Sequence, residues 1–141
     1  MQRSFRTFLA TAGLALLACG SEGTPFSPTV ETVAGSYHAT TFTATQGGIP
    51  LNLLLGGGSL TLTLHEDGTT TGRLLVPGGG ETGEDLDVDL AGTWTLTGST
   101  VTFDQPNADT FVRDMAFTAE RNRLSGEENF GDFAISVVLT K

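Results

Sequence analysis

With a single cysteine, Cys19, no disulfide can close within this chain, and its fold rests on core packing alone. Basic residues are also scarce. Seven Lys and Arg stand against 16 Asp and Glu, for a formal net charge of −9. That balance repels phosphate backbones and argues against nucleic acid as a partner. Histidine occurs twice, at His38 and His65, and neither has metal-ligand spacing to another ligand. Two histidines also leave no convincing Ser-His-Asp order. The runs Gly56–Gly58 and Gly78–Gly80 lack the Lys and helix that a phosphate loop requires. The stretch Glu84-Asp85-Leu86-Asp87-Val88-Asp89 begins like a calcium loop, but the sixth and twelfth positions counted from Asp85 are Leu90 and Leu96. The chain is therefore expected to carry no catalytic residues, no metal and no cofactor, and to be no enzyme. Helical periodicity is missing too, except for one turn's worth at Leu51 to Leu55.

The one sustained apolar run, Phe8 to Leu17, is too short to span a membrane. It follows Arg3 and Arg6 and ends on small residues, the three-part layout of an export signal. The junction Leu16-Leu17-Ala18-Cys19 resembles the lipobox of bacterial lipoproteins. The resemblance implies cleavage before Cys19, a diacylglyceryl group on its thiol and a fatty acyl group such as palmitate on the new amine. Two or more acyl chains hold a protein to a membrane durably where one does not. The chain then divides into a signal peptide over 1–18, a lipidated N-terminus with a Gly/Ser/Pro/Thr-rich tether over 19–32, and one domain over 33–141. Loss of Arg3 and Arg6 leaves 5 basic residues against the 16 acidic ones, a mature charge of −11. The expected location is the bacterial cell envelope. Gly20 and Ser21 after the cysteine, in place of an Asp, point to the outer membrane rather than the inner.

What the chain does contain is threonine, glycine and alternation: 23 Thr and 19 Gly favour strands and tight turns. Ser59 to His65 puts Leu60, Leu62 and Leu64 on one face and Thr61, Thr63 and His65 on the other. Asp67-Gly68 turns the chain into Thr69 to Val76. Leu86 to Thr97 alternates in one run, with Leu86, Val88, Leu90, Trp94 and Leu96 together. Thr100 to Asp104 carries Val101 and Phe103 on one face. Phe111 to Ala119, Arg123 to Glu128 and Asp132 to Thr140 complete the set, the last with Phe133, Ile135, Val137 and Leu139 on one side. With an opening strand near Gly35 to Thr45 this makes about eight short antiparallel strands in sequence order. The predicted fold is all-β, a small up-and-down barrel, with an open or sandwich-like sheet as the other arrangement.

Ala91-Gly92-Thr93-Trp94, followed by the turn Gly98-Ser99, resembles the G-x-W segment of bacterial lipocalin-like domains. A partial second copy, Ala34-Gly35-Ser36-Tyr37, lies 57 residues upstream. Lipocalins carry the Trp on their first strand; here that strand carries Tyr37. The resemblance, over residues 33–141, implies a barrel that binds a small apolar or amphipathic ligand inside.

Arg113 is the sequence's sharpest signal. On a strand it would share the apolar face of Phe111, Met115 and Phe117, where a guanidinium needs a partner. That partner would be a ligand carboxylate, a buried acid or the face of Trp94. The candidate ligand-binding set is Arg113, Trp94, Met115, Phe117, Phe103 and Leu62, with Leu60 and Leu64 beside them, and Cys19 is the lipidation site. The function expected is that of a monomeric, membrane-anchored binding protein. The alternative is a structural or interaction lipoprotein whose barrel is packed solid and holds no ligand.

Overall fold

Thr and Leu in strict alternation give Ser59–Leu64 two unlike faces, and Leu60, Leu62 and Leu64 are each 1% exposed while Thr61 faces solvent. The same arithmetic runs around the molecule. A computed structural model describes residues 23–141; the export signal and Cys19 lie outside the described residues. These residues form strands β1 (Gly35–Gln46), β2 (Ile49–Asn52), β3 (Ser59–Leu64), β4 (Thr69–Val76), β5 (Leu86–Asp89), β6 (Gly92–Thr97), β7 (Thr100–Asp104), β8 (Phe117–Glu120), β9 (Arg123–Phe130) and β10 (Phe133–Thr140). Two helical turns accompany them, α1 (Val30–Val33) and α2 (Phe111–Asp114). Eight strands close an antiparallel barrel in the order β1-β3-β4-β6-β7-β8-β9-β10, with β10 pairing back onto β1. β2 and β5 are additions to it.

β5 and β6 share one register on β4: Arg73 pairs with Asp89 and Thr70 with Gly92, and the Leu90 N–H donates to the Gly72 carbonyl between them. The run Leu86 to Thr97 is thus one line of strand, bent at Leu90-Ala91. A Cβ on Gly92 would collide with the Asp104 carbonyl, and one on Gly72 with the Thr61 carbonyl, so the close approach there needs glycine. In β1 the pairing with β10 slips by one residue between Ala39 and Thr41. This bulge switches which parity faces inward, so that both Tyr37 and Phe42 are buried.

Two local expectations fail. Leu51 to Leu55 makes no helical turn. Leu51 belongs to β2, and the Asn52 carboxamide accepts from the Leu54 and Leu55 N–H groups to turn the chain. The strand expected over Phe111 to Ala119 is shorter. Its first part is α2, and only Phe117–Glu120 joins the sheet. The reason lies in local chemistry, since Asp109 and Arg113 form an ion pair at helical spacing and Val112 turns inward to full burial.

One end of the barrel is sealed. Thr29 and Thr32 cap α1 reciprocally, which orders the end of the segment read as tether. The Tyr37 hydroxyl donates to the Val33 carbonyl at 2.6 Å, and burial pushes its pKa up to about 12. Lys141 Nζ donates to the Thr32 and Ala34 carbonyls at 2.7 and 2.8 Å and lies 5.4 Å from the centre of the Tyr37 ring. Nearby, Trp94 Nε1 donates to the His65 carbonyl at 2.8 Å.

The alternation has a direct test. Leu62→Asp puts a carboxylate in the core and should cost several kcal/mol, on the order of 3 or more, in denaturant titration. Thr61→Asp, one residue away and facing solvent opposite Arg73, should stay within ~0.5 kcal/mol of the wild type. Equal losses from the two would refute the assigned faces.

Candidate binding pocket at the open end

At the other end the seams part. β1 pairs with β3 only over Gly35 to His38, beyond which β2 takes that edge of β1. β7 and β8 meet only at Thr100–Val101 and Phe117–Thr118, and the segment 105–116 fills the gap above them. Between these parted edges lies a pocket of about 880 Å³, within the range of small-molecule sites.

Its floor is Phe42 and Ile135, both buried, with the Phe111 ring of α2 at 5.5 Å from that of Phe42. Leu53, Val76 and Leu86 contribute to its wall. Phe130 and Phe133, stacked at 5.8 Å across the tight β9–β10 turn, form one side of the rim, and Ile49 and Leu51 of β2 form another. Ile49 is 75% exposed and Leu51 61%, so apolar surface continues out of the pocket onto the protein's exterior.

The polar part of the lining is acidic. Asp109 and Asp114 line the pocket, and Arg113 between them does not. The Arg113 guanidinium donates from Nε and Nη2 to both carboxylate oxygens of Asp114, at 2.7 and 3.0 Å, and from Nη2 to Asp109 Oδ1 at 2.6 Å. The bond to Asp114 raises the Arg113 pKa above its already high value, and the same bond lowers that of Asp114. Thr110 also lines the pocket; its Oγ1 is buried and has no hydrogen-bond partner among the described residues. Gln105, fully buried in the same segment, likewise leaves both side-chain polar atoms unpartnered. Unmatched polar atoms of this kind are rare in folded proteins.

The sequence-predicted set is therefore divided. Leu62, Trp94, Phe103, Met115 and Phe117 are all inside the barrel at 6% exposure or less, with Phe103 and Phe117 packed edge to face at 5.6 Å. None of them lines the pocket. They fill the barrel's body, and the cavity lies above them. Arg113 needs correction: it is not on a strand and does not share the inner face of Met115 and Phe117. Its side chain is 35% exposed and committed to two carboxylates, because the helical turn rotates it out of the core. Sequence reasoning missed Phe111, Phe130 and Phe133 as pocket residues. Two Phe flanking the Gly131-Asp132 turn were the available signal, since aromatic rings at a hairpin tip need something to pack on.

Among the described residues no three His, Cys, Asp or Glu side chains gather to hold a metal ion. Asp87 of the acidic run pairs with Arg73 across the β4–β5 ladder. Compared with known proteins, the chain matches no family model, no curated protein and no solved structure.

Replacing Arg113 separates these geometries. Arg113→Met should lower the melting temperature modestly at neutral pH and leave the emission of Trp94, the only tryptophan, unmoved. The stability tied to the depressed Asp114 pKa is present above the ordinary Asp value of about 3.9 and is lost as pH falls through the lower folded value. The gap between wild type and Arg113→Met should accordingly narrow below about pH 4. A shifted Trp94 spectrum would mean that the guanidinium packs on the indole instead.

Proposed function

We propose that this chain is an exported, lipid-anchored, monomeric binding protein whose open barrel end holds a small apolar or amphipathic ligand. The observation that carries the proposal is the apolar pocket of about 880 Å³ over a solid core. Its aromatic side rests on two strands joined by a tight turn, so the site is largely preformed. The lipobox-like junction at Cys19 supports the anchoring half of the proposal and belongs to the sequence alone. The exposed Leu55, Ile49 and Leu51 favour a second reading, in which a protein partner sits on this rim.

The environment-sensitive dye N-phenyl-1-naphthylamine tests the pocket. Its fluorescence should rise saturably with wild type. Phe133→Glu, at the rim, should weaken binding tenfold or more while leaving the circular dichroism spectrum unchanged. Burial of one large apolar side chain is worth about 1.5–3 kcal/mol, or roughly ten- to hundredfold in affinity. No saturable signal would leave the partner-docking reading. Anchoring is tested separately: Cys19→Ala should release the protein from membranes or leave an uncleaved precursor. A wild type that fractionates as soluble, with its N-terminus elsewhere, would remove that half.

A further inference from the structure

Resting on the binding reading above, the geometry points to the ligand's head group: we infer that the pocket takes an amphiphile with a cationic, hydrogen-bond-donating head, such as an alkylammonium, and discriminates against carboxylates. The first observation is the distribution of charge. The loops and turns of the open end carry Glu81, Glu84, Asp85, Asp109, Asp114 and Asp132, and against these six acids the only base is Arg113. The sealed end, by contrast, is nearly balanced, with Glu31, Glu66, Asp67 and Glu120 against Arg121, Arg123 and Lys141. The base at the mouth is already spent. Arg113 serves two carboxylates and lies outside the pocket lining, so an incoming carboxylate meets net negative charge with no free guanidinium in the wall.

The second observation is the hydrogen-bonding capacity left free at that mouth. Asp109, part of the pocket wall, spends only Oδ1 on Arg113 and keeps its other oxygen unbonded, on a side chain 89% exposed. An N–H donor head finds an anionic acceptor there, and charge-assisted bonds of that kind are the stronger sort. The chain of the ligand then lies on Phe42, Phe111 and Phe133, which sets the polarity of the bound molecule: tail over the aromatic floor, head toward α2.

Matched ten-carbon chains isolate the head group. N-phenyl-1-naphthylamine bound to the wild-type barrel is displaced with decylammonium, decanol or decanoate at pH 7 and low salt. Decylammonium should displace it at a concentration at least tenfold below that of decanoate, with decanol between. Raising the salt to 1 M should shrink that ratio severalfold, because mouth charges are exposed and screened. Asp109→Asn and, separately, Asp132→Asn should each shrink it as well, and Asp132→Asn, outside the pocket lining, should leave the affinity for decanol unchanged. Decanoate binding as well as decylammonium, or a ratio unmoved by both salt and Asp109→Asn, overturns the inference and leaves the apolar pocket intact. A dye that never binds overturns the pocket reading itself, and the head-group inference with it.

Discussion

Everything in this molecule depends on the seam where the first long strand meets the last. From His38 to Gln46, β1 runs against β10 from Thr140 to Phe133, and that pairing turns an open sheet into a barrel. Without it both strands would be edges, with unpaired N–H and C=O groups along their length. With one cysteine and no internal disulfide, no covalent bond shares the task. The bulge in this seam decides what each end of the barrel becomes. It sends Tyr37 to the sealed end and Phe42 to the pocket floor from the same strand, which strict alternation cannot do.

Period-two alternation is a local property, and wherever the fold is local it was legible. The inward set of β3 and that of β10, Ile135, Val137 and Leu139, is written in consecutive residues. So was the kinship of Gly35-Ser36-Tyr37 with Gly92-Thr93-Trp94. The structure gives the two segments the same job at the same end: a glycine where a side chain would be strained or would collide, and an inward aromatic two residues on. Gly35 sits at φ 143°. Both aromatic tips are bonded to a backbone carbonyl. What could not be read depends on partners distant in sequence. The slip near Thr40 is imposed by Val138 and Leu139, and the bend at Leu90-Ala91 by Asp104 and Gly72. Arg113 shows how alternation misleads. Phe111, Arg113, Met115 and Phe117 satisfy a strand pattern, but a guanidinium on the apolar face was itself the sign that the pattern was wrong.

The core and the cavity divide the barrel by height. Where neighbouring strands stay paired, large side chains such as Leu60, Leu124 and Phe117 fill the interior to essentially zero exposure. Where the pairs part, the lining comes from strand ends and from the 105–116 segment, which brings Gln105 and Thr110 in with polar atoms unmatched. The stability of the closed half lets the open half keep apolar surface in contact with water. Candidate residues chosen for being large and inward were drawn to the packed half, and the pocket is built in the other.

The chain comes in at the sealed end, where Phe26 lies 5.5 Å from the Arg121 guanidinium and Lys141 fastens α1. The pocket opens at the far end of β1, a strand of 12 residues. At about 3.3 Å per residue and a tilt of about 40°, that is roughly 30 Å along the barrel axis. Phe26, near the start of the described residues, is therefore roughly a full barrel height from the mouth. A bead, a fused protein or a sensor surface attached there leaves the pocket facing open solution, so the barrel can be held by one end and loaded from the other.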